Sequence, residues 1–241
     1  MQDYRGVNKW TVRNRYLLPL IPELIAEVQD TFVFSKFDVE GGFNKVRIKD
    51  GDQHKAAFKI KYGLYEPMVM YFGLCNLPAT FQNMMNHIFR PLKVKWAKRG
   101  VKIIVYMDNI LMATSTSLQD HRDATHDVLD LLQEHDLLKK KKCRWEVDSI
   151  DDLGLILEKG VTHMHLTKVE GIKNWPRPMK VKDIRSFLGF CNFYQPFILS
   201  FSKIAKPLNE LTCKDVLFVW EDKHETAFNT LRDLVTSKPV L

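Results

Sequence analysis

Two aspartates, Asp38 in the stretch FSKFDVEGGF and Asp108 in VYMDNI, each follow an apolar run. A carboxylate at the end of a buried strand is costly to desolvate without a partner. Taken alone, each reads as a strand-end turn residue or a helix cap. Two such acids on neighbouring strands of one sheet project from the same end, and their repulsion is relieved by a cation held between them. Hard divalent cations take oxygen ligands of this kind. A pair of Mg²⁺ ions about 3.5 to 4 Å apart activates an attacking 3′ hydroxyl and steadies a departing pyrophosphate. The pattern therefore fits nucleotidyl transfer.

The elements that would carry the acids can be read from periodicity. Residues 32–40, FVFSKFDVE, alternate as a strand that Gly41 and Gly42 break, and residues 102–115, KIIVYMDNILMATS, fold back as two apolar strands over Tyr106, Met107, Asp108 and Asn109. PELIAEVQ opens with Pro22 at a helix-starting position. FNKVRIK (43–49) and residues 55–72 predict further strands, the second pair turning near Gly63. Pro78 starts a helix through ATFQNMMNHIFRPL, with Phe81, Met84, Met85 and Ile88 on one face. After the hairpin, SLQDHRDATHDVLDLLQEH predicts a long helix whose core stripe is Ala124, Val128, Leu131 and Leu132, with His121, His126 and His135 expected in solvent.

From about residue 160 the character changes. NWPRPMKVKDIRSFLGFCNFYQPFI passes from a Pro-bracketed loop into a helix with Ile184, Phe187, Leu188 and Cys191 at helical spacing, and a last helix follows Trp220. The expected class is α+β, with a mixed first domain over 1–160 and a small helical second domain over 161–241.

Composition limits the partners. A net charge of +7 and a pI near 9.1 point to an anionic partner, and nucleic acid is favoured over membrane because no basic amphipathic helix or lipidation signal stands out. The apolar run YLLPLIP is short and broken by Pro19, so neither a signal peptide nor a membrane span is expected, and the setting is read as intracellular. Cys75, Cys143, Cys191 and Cys213 are far apart and read as free thiols. His163 and His165 in VTHMHL read as a strand edge rather than a metal site.

From end to end the sequence resembles the reverse transcriptase of Ty3/gypsy-type long-terminal-repeat retrotransposons. The blocks that carry the resemblance are DYRGVNKWTVRNRYLLPLIPEL, FSKFDVEGGF, YGLYEPMVMYFGLCNLPATFQNMMN, VYMDNIL, KKKKCRWEVDSIDDLGLIL, NWPRPMKVKDIRSFLGFCNFYQPFI and PLNELTCKDVLFVW, in the family's order. The resemblance implies a right-hand fold of palm, fingers and thumb. The implied activity is RNA- and DNA-templated DNA synthesis on Mg²⁺, with Mn²⁺ as a substitute. The implied partners are a primer on an RNA or DNA template and deoxynucleoside triphosphates; homo-oligomerisation stays open.

Carried over by position, Asp38 is the first palm carboxylate, Asp108 the first acid of the Tyr-x-Asp-Asp turn, and the Val39 carbonyl a further metal ligand. Phe43 occupies the place of the aromatic gate against a ribose 2′ hydroxyl. Phe72 and Gly73, with Met107, fall at the nucleotide, and Tyr106 and Pro78 along primer and template. Leu153 and Gly154 fall at the primer-gripping turn. Lys173, Arg177, Lys180, Lys182 and Arg185, within the stretch 168–185, fall on the thumb's duplex-facing surface. The lysine run 139–142 reads as a solvated helix end or a triphosphate contact. Trp175 and Trp220 read as thumb core.

Departures from the family sharpen the expectations. Asn109 stands where the family has a second aspartate, which keeps a neutral oxygen and removes a unit of charge beside the metals. Only Met1 and Gln2 precede Asp3, so the fingertip cations of relatives are not expected, and the chain stops at SKPVL, where their ribonuclease H domain begins. Tyr71 replaces a family proline. Two readings result: a reverse transcriptase core with activity lowered by these changes, or a polymerase-like module that binds nucleic acid or protein without catalysis.

Overall fold

The computed structural model describes residues 2–138, 143–164, 166–214 and 216–236. The lysine run 139–142, His165 and the terminal residues 237–241 lie outside the described residues. The chain forms two compact units, Met1–Ile150 and Asp151–Leu241.

In the first unit, helices α1 (Arg5–Trp10) and α2 (Ile21–Val28) precede strand β1 (Val33–Asp38). A short hairpin follows, β2 (Phe58–Ile60) and β3 (Gly63–Tyr65), then helix α3 (Leu77–Ala97), the hairpin β4 (Val101–Tyr106) and β5 (Asn109–Thr114), helix α4 (Leu118–Glu134) and strand β6 (Arg144–Val147). The main sheet has the order β4-β5-β1-β6. β1 therefore lies inside the sheet and pairs antiparallel with both β5 and β6.

The registers divide this sheet into two faces. Directly opposed residues of an antiparallel pair share a face. Phe37↔Ile110 and Val105↔Ile110 lie on one side. That side meets α3 and α4 in a core of Phe37, Val39, Phe81, Met85, Phe89, Val105, Ile110, Met112, Val128 and Leu132. Burying each of these large side chains contributes about 2 kcal/mol. The opposite face carries Asp38, Asn109 and Tyr106 abreast on three adjacent strands.

Helix α3 begins with Pro78 near its first position and continues past Pro91 to Ala97. Pro91 removes one backbone hydrogen bond. Trp96 holds the last turns, being buried and donating its indole N–H to Asp127 Oδ2 at 2.7 Å.

Two sequence expectations are corrected. FNKVRIK is not a strand: Gly41 takes a left-handed φ of 57° and Gly42–Lys45 forms a 3-10 turn. Only an isolated bridge, Arg47↔Val69, follows. His121 is not in solvent. It is fully buried, with Nε2 2.8 Å from Ser35 Oγ on β1 and Nδ1 2.7 Å from Thr114 Oγ1 on β5. His121 precedes Ala124 and Val128 at helical spacing, so it belongs to the buried stripe, and the two hydroxyls satisfy its nitrogens. His126 and His135 are exposed.

A three-stranded sheet follows in the chain, its first strand β7 (Ser149–Asp152) beginning before the second unit and β8 (Leu155–Glu158) and β9 (Val161–Met164) lying within it. Helices α5 (Leu166–Lys173), α6 (Val181–Cys191), α7 (Phe201–Glu210) and α8 (Asp222–Thr236) follow. Ile184, Phe187, Leu188 and Cys191 form the buried face of α6, with Phe187 and Phe228 in contact at 4.6 Å between ring centroids. Trp175 packs on Phe187 and Phe190, and Trp220 on Phe228. Among the described residues no helix is long and apolar enough to cross a membrane.

Candidate active site

The β4–β5 hairpin closes over two residues, Met107 and Asp108, because Tyr106 pairs with Asn109. Met107 has φ 55° and Asp108 is not among the positive-φ residues, the pattern of the II′ turns that suit the twist of a hairpin. A non-glycine residue in this region costs about 1 kcal/mol. The turn is held from below by Gln82, which is fully buried on α3. Its Nε2 donates to the Val105 carbonyl at 2.9 Å, and its Oε1 accepts from the Met107 amide at 2.7 Å. Sequence reasoning missed Gln82; the signal available was a polar residue between the core positions Phe81 and Met85.

Asp38 ends β1 directly opposite Asn109. One residue further, the Val39 amide donates to the Asp108 carbonyl at 3.3 Å, tying the end of β1 to the hairpin turn. The structure thus brings together Asp38, Val39, Asp108 and Asn109. Asp108 is exposed and Asp38 half-buried. Among the described residues no group of three or more His, Cys, Asp or Glu is placed to hold a metal ion. Two carboxylates and a carbonyl nevertheless fit Mg²⁺, which is commonly held by one or two carboxylates together with substrate phosphates.

Phe43 follows the Gly41-Gly42 break and sits edge-on between Phe72 (centroids 5.0 Å apart) and Phe81 (4.9 Å). A Cβ on Gly42 would lie 2.5 Å from Phe81 Cζ, so only glycine lets the chain pass here and deliver Phe43. Gly73, at φ 105°, lies beneath Tyr4, to which a Cβ would come within 3.2 Å. Asn8 clamps the same loop, donating to the Gly73 carbonyl at 2.7 Å and accepting from the Cys75 amide at 2.9 Å. Phe72 is exposed and borders an open cleft of about 760 Å³ lined also by Tyr4, Phe58, Ile60 and Tyr71. Pro78 is exposed in the first turn of α3, and Tyr106 is half-buried.

Within the second unit, Leu153 (φ 50°) and Gly154 (φ 79°) form a two-residue left-handed turn between β7 and β8. Lys173, Lys180, Lys182 and Arg185 are exposed. Arg185 donates to the Thr212 carbonyl at 3.0 Å. Arg177 is engaged within its own unit: its guanidinium pairs with Glu225 at 3.4 Å and lies over the Trp220 ring. His163 lies 3.8 Å from Glu158.

Residues 1–157 match the reverse transcriptase (RNA-dependent DNA polymerase) family. The transposon Tf2-7 polyprotein of Schizosaccharomyces pombe is 34% identical over 99% of this chain, which spans 18% of that relative. The Tf2-3 polyprotein of the same yeast is 33% identical, again with 18% of its length spanned. Among solved structures, a foamy viral protease-reverse transcriptase in complex with double-stranded DNA superposes with a TM-score of 0.84 at 22% identity, covering 97% of this chain and 40% of that one. The foamy viral enzyme in complex with an RNA/DNA hybrid gives 0.81 at 22% identity, covering 98% and 31%. These likenesses establish an α+β fold of the right-hand polymerase kind. The chain belongs to the reverse transcriptase family.

Proposed function

We propose that the chain is the polymerase core of a retrotransposon reverse transcriptase, extending a primer 3′ end with deoxynucleotides on an RNA or DNA template. The observation that carries this reading is Asp38 placed across from Asn109 with Asp108 at the adjoining turn. Asp38, Asp108 and the Val39 carbonyl would hold Mg²⁺, or Mn²⁺ in its place. The ions, when bound, supply activation of the 3′ hydroxyl and neutralisation of the leaving pyrophosphate. Asn109 adds a neutral oxygen beside Asp38 and lowers the negative charge of the site.

Phe43, Phe72, Gly73 and Met107 would border the incoming nucleotide, the Phe43 ring crowding a 2′ hydroxyl. Tyr106, Pro78, Leu153 and Gly154 would contact primer and template. Residues 1–160 would serve as palm and partial fingers and 161–241 as thumb, with Lys173 and Lys182 among its phosphate contacts, while Arg177 is held by Glu225 and Trp220. The net charge of +7 supports such a grip on a polyanion. Solved relatives in complex with double-stranded DNA and RNA/DNA hybrid support the same class of partner. The setting would be intracellular.

Primer extension on poly(rA)/oligo(dT) with Mg²⁺ and then Mn²⁺ tests the reading. Incorporation that is abolished by Asp38→Ala is the expected result. No incorporation with either ion would overturn it in favour of a polymerase-like module that binds nucleic acid or protein.

A further inference from the structure

We infer that Tyr16, Asn86 and Gln82 form a positioning relay that sets the backbone of the turn bearing Asp108. The relay begins outside the sheet. Tyr16, half-buried in the segment between α1 and α2, accepts a hydrogen bond at its hydroxyl from Asn86 Nδ2 at 2.8 Å. Asn86 Oδ1 accepts from Gln82 Nε2 at 3.1 Å. The same Gln82 nitrogen donates to the Val105 carbonyl, and Gln82 Oε1 accepts from the Met107 amide at 2.7 Å. Gln82 and Asn86 are one turn apart on α3, so they lie on one face of the helix.

The chemistry of the two backbone groups explains the choice of side chain. Val105 offers a carbonyl and needs a donor; Met107 offers an amide and needs an acceptor. A primary amide is the side chain that supplies both from one planar group. β4 is the edge strand of its sheet, so these groups lie at a sheet margin where ladder partners are lacking on one side. Asn86 fixes which way the Gln82 amide faces, because its Oδ1 takes the second Nε2 hydrogen. Tyr16 in turn fixes Asn86. The turn therefore inherits the placement of α3 and of the strap that carries Tyr16, and the strained φ of Met107 is held by a part-buried hydrogen bond of 2.7 Å.

Gln82 touches neither carboxylate in the hydrogen bonds described, so its role is to position Asp108 through Met107. The inference rests on the proposed polymerase reading for its consequence in catalysis, and its test separates the two. Amide hydrogen exchange in the full chain, measured by NMR without substrate, should show Met107 exchanging on the order of 30-fold faster in Gln82→Met. The amides of Met112 and Val128 should be unchanged. Tyr16→Phe, milder and at the accessible end of the relay, should raise Met107 exchange by a few-fold. In primer extension, Gln82→Met should lower kcat on the order of tenfold while the KM for deoxynucleotide and the affinity for primer-template stay within about twofold. Wild-type exchange at Met107 in both variants overturns the relay whether or not the chain is active. Equal losses in kcat and primer-template affinity, with exchange raised throughout the core, would also overturn it by showing a general loss of structure.

Discussion

Asp38 and Asn109 face one another across the β1–β5 ladder, the last residue of one strand against the first of the other. The pair sets one full negative charge beside a neutral amide at the point where two carboxylates would repel. Restoring the acid with Asn109→Asp should therefore tighten divalent-ion binding, by about tenfold given the strength of charge interactions at a protein surface. Titration with Mn²⁺ followed by electron paramagnetic resonance reads this directly. Equal affinity in the two proteins would mean that position 109 lies outside the ion's reach.

Phe43 is held on two sides by aromatic edges, so the position of its ring is fixed by Phe72 and Phe81 rather than by its own backbone alone. Phe43→Val should raise ribonucleotide incorporation relative to deoxynucleotide by about tenfold or more, on the scale that pocket volume changes discriminate substrates. Single-nucleotide extension with matched ribo- and deoxynucleotides measures the ratio. Continued rejection of ribonucleotides would place the gate elsewhere.

The buried His121 gives the first unit a pH signature. Burial pushes its pKa down to about 4 from the usual 6.5, so between these values the unfolded chain binds a proton that the folded one refuses. Stability is complete above pH 6.5 and falls as pH drops toward 4, by about 3 kcal/mol across the window. Thermal melts should show this fall in the wild type and a shallower one in His121→Gln. Parallel curves would refute the buried neutral imidazole.

Lys173 and Lys182 are exposed, while Arg177 is already engaged by Glu225 and Trp220. Replacing both lysines with alanine should weaken primer-template binding and reduce the slope of log affinity against log salt by about 2. Arg177→Ala should lower the melting temperature more than it lowers affinity. Fluorescence anisotropy over a salt series, with a parallel melt, separates the two effects.

The parts of this site that lie on regular elements were legible in the sequence. Alternation marked β1, two apolar runs folded on each other marked the β4–β5 hairpin, and the acids at the strand end and the turn were visible for the cost of leaving them unpartnered. The apolar stripe of α3 was equally plain. What escaped was the chemistry of polar residues inside apolar stripes: Gln82 and His121 fall at buried helical positions, and their partners lie on other elements, Ser35 on β1 and Thr114 on β5 for His121, Val105 on β4 and the Met107 turn for Gln82. The segment after Asp38 was misread because its β-branched and aromatic content suggested a strand. The paired glycines, one left-handed and one too close to Phe81 for any Cβ, impose a tight turn instead.

The strand order β4-β5-β1-β6 also dictates when the site can exist during synthesis. β1 leaves the ribosome long before either neighbour, and the hairpin that flanks it on one side forms locally and early. Until residues 144–147 emerge to close its other edge, β1 has an open flank, and its apolar residues are available to wrong partners. Asp38 is thus among the first of the site's residues to be made, and its strand is among the last of the sheet to be enclosed on both sides. That delay favours whatever shields the nascent strand over the span of more than a hundred residues between β1 and β6.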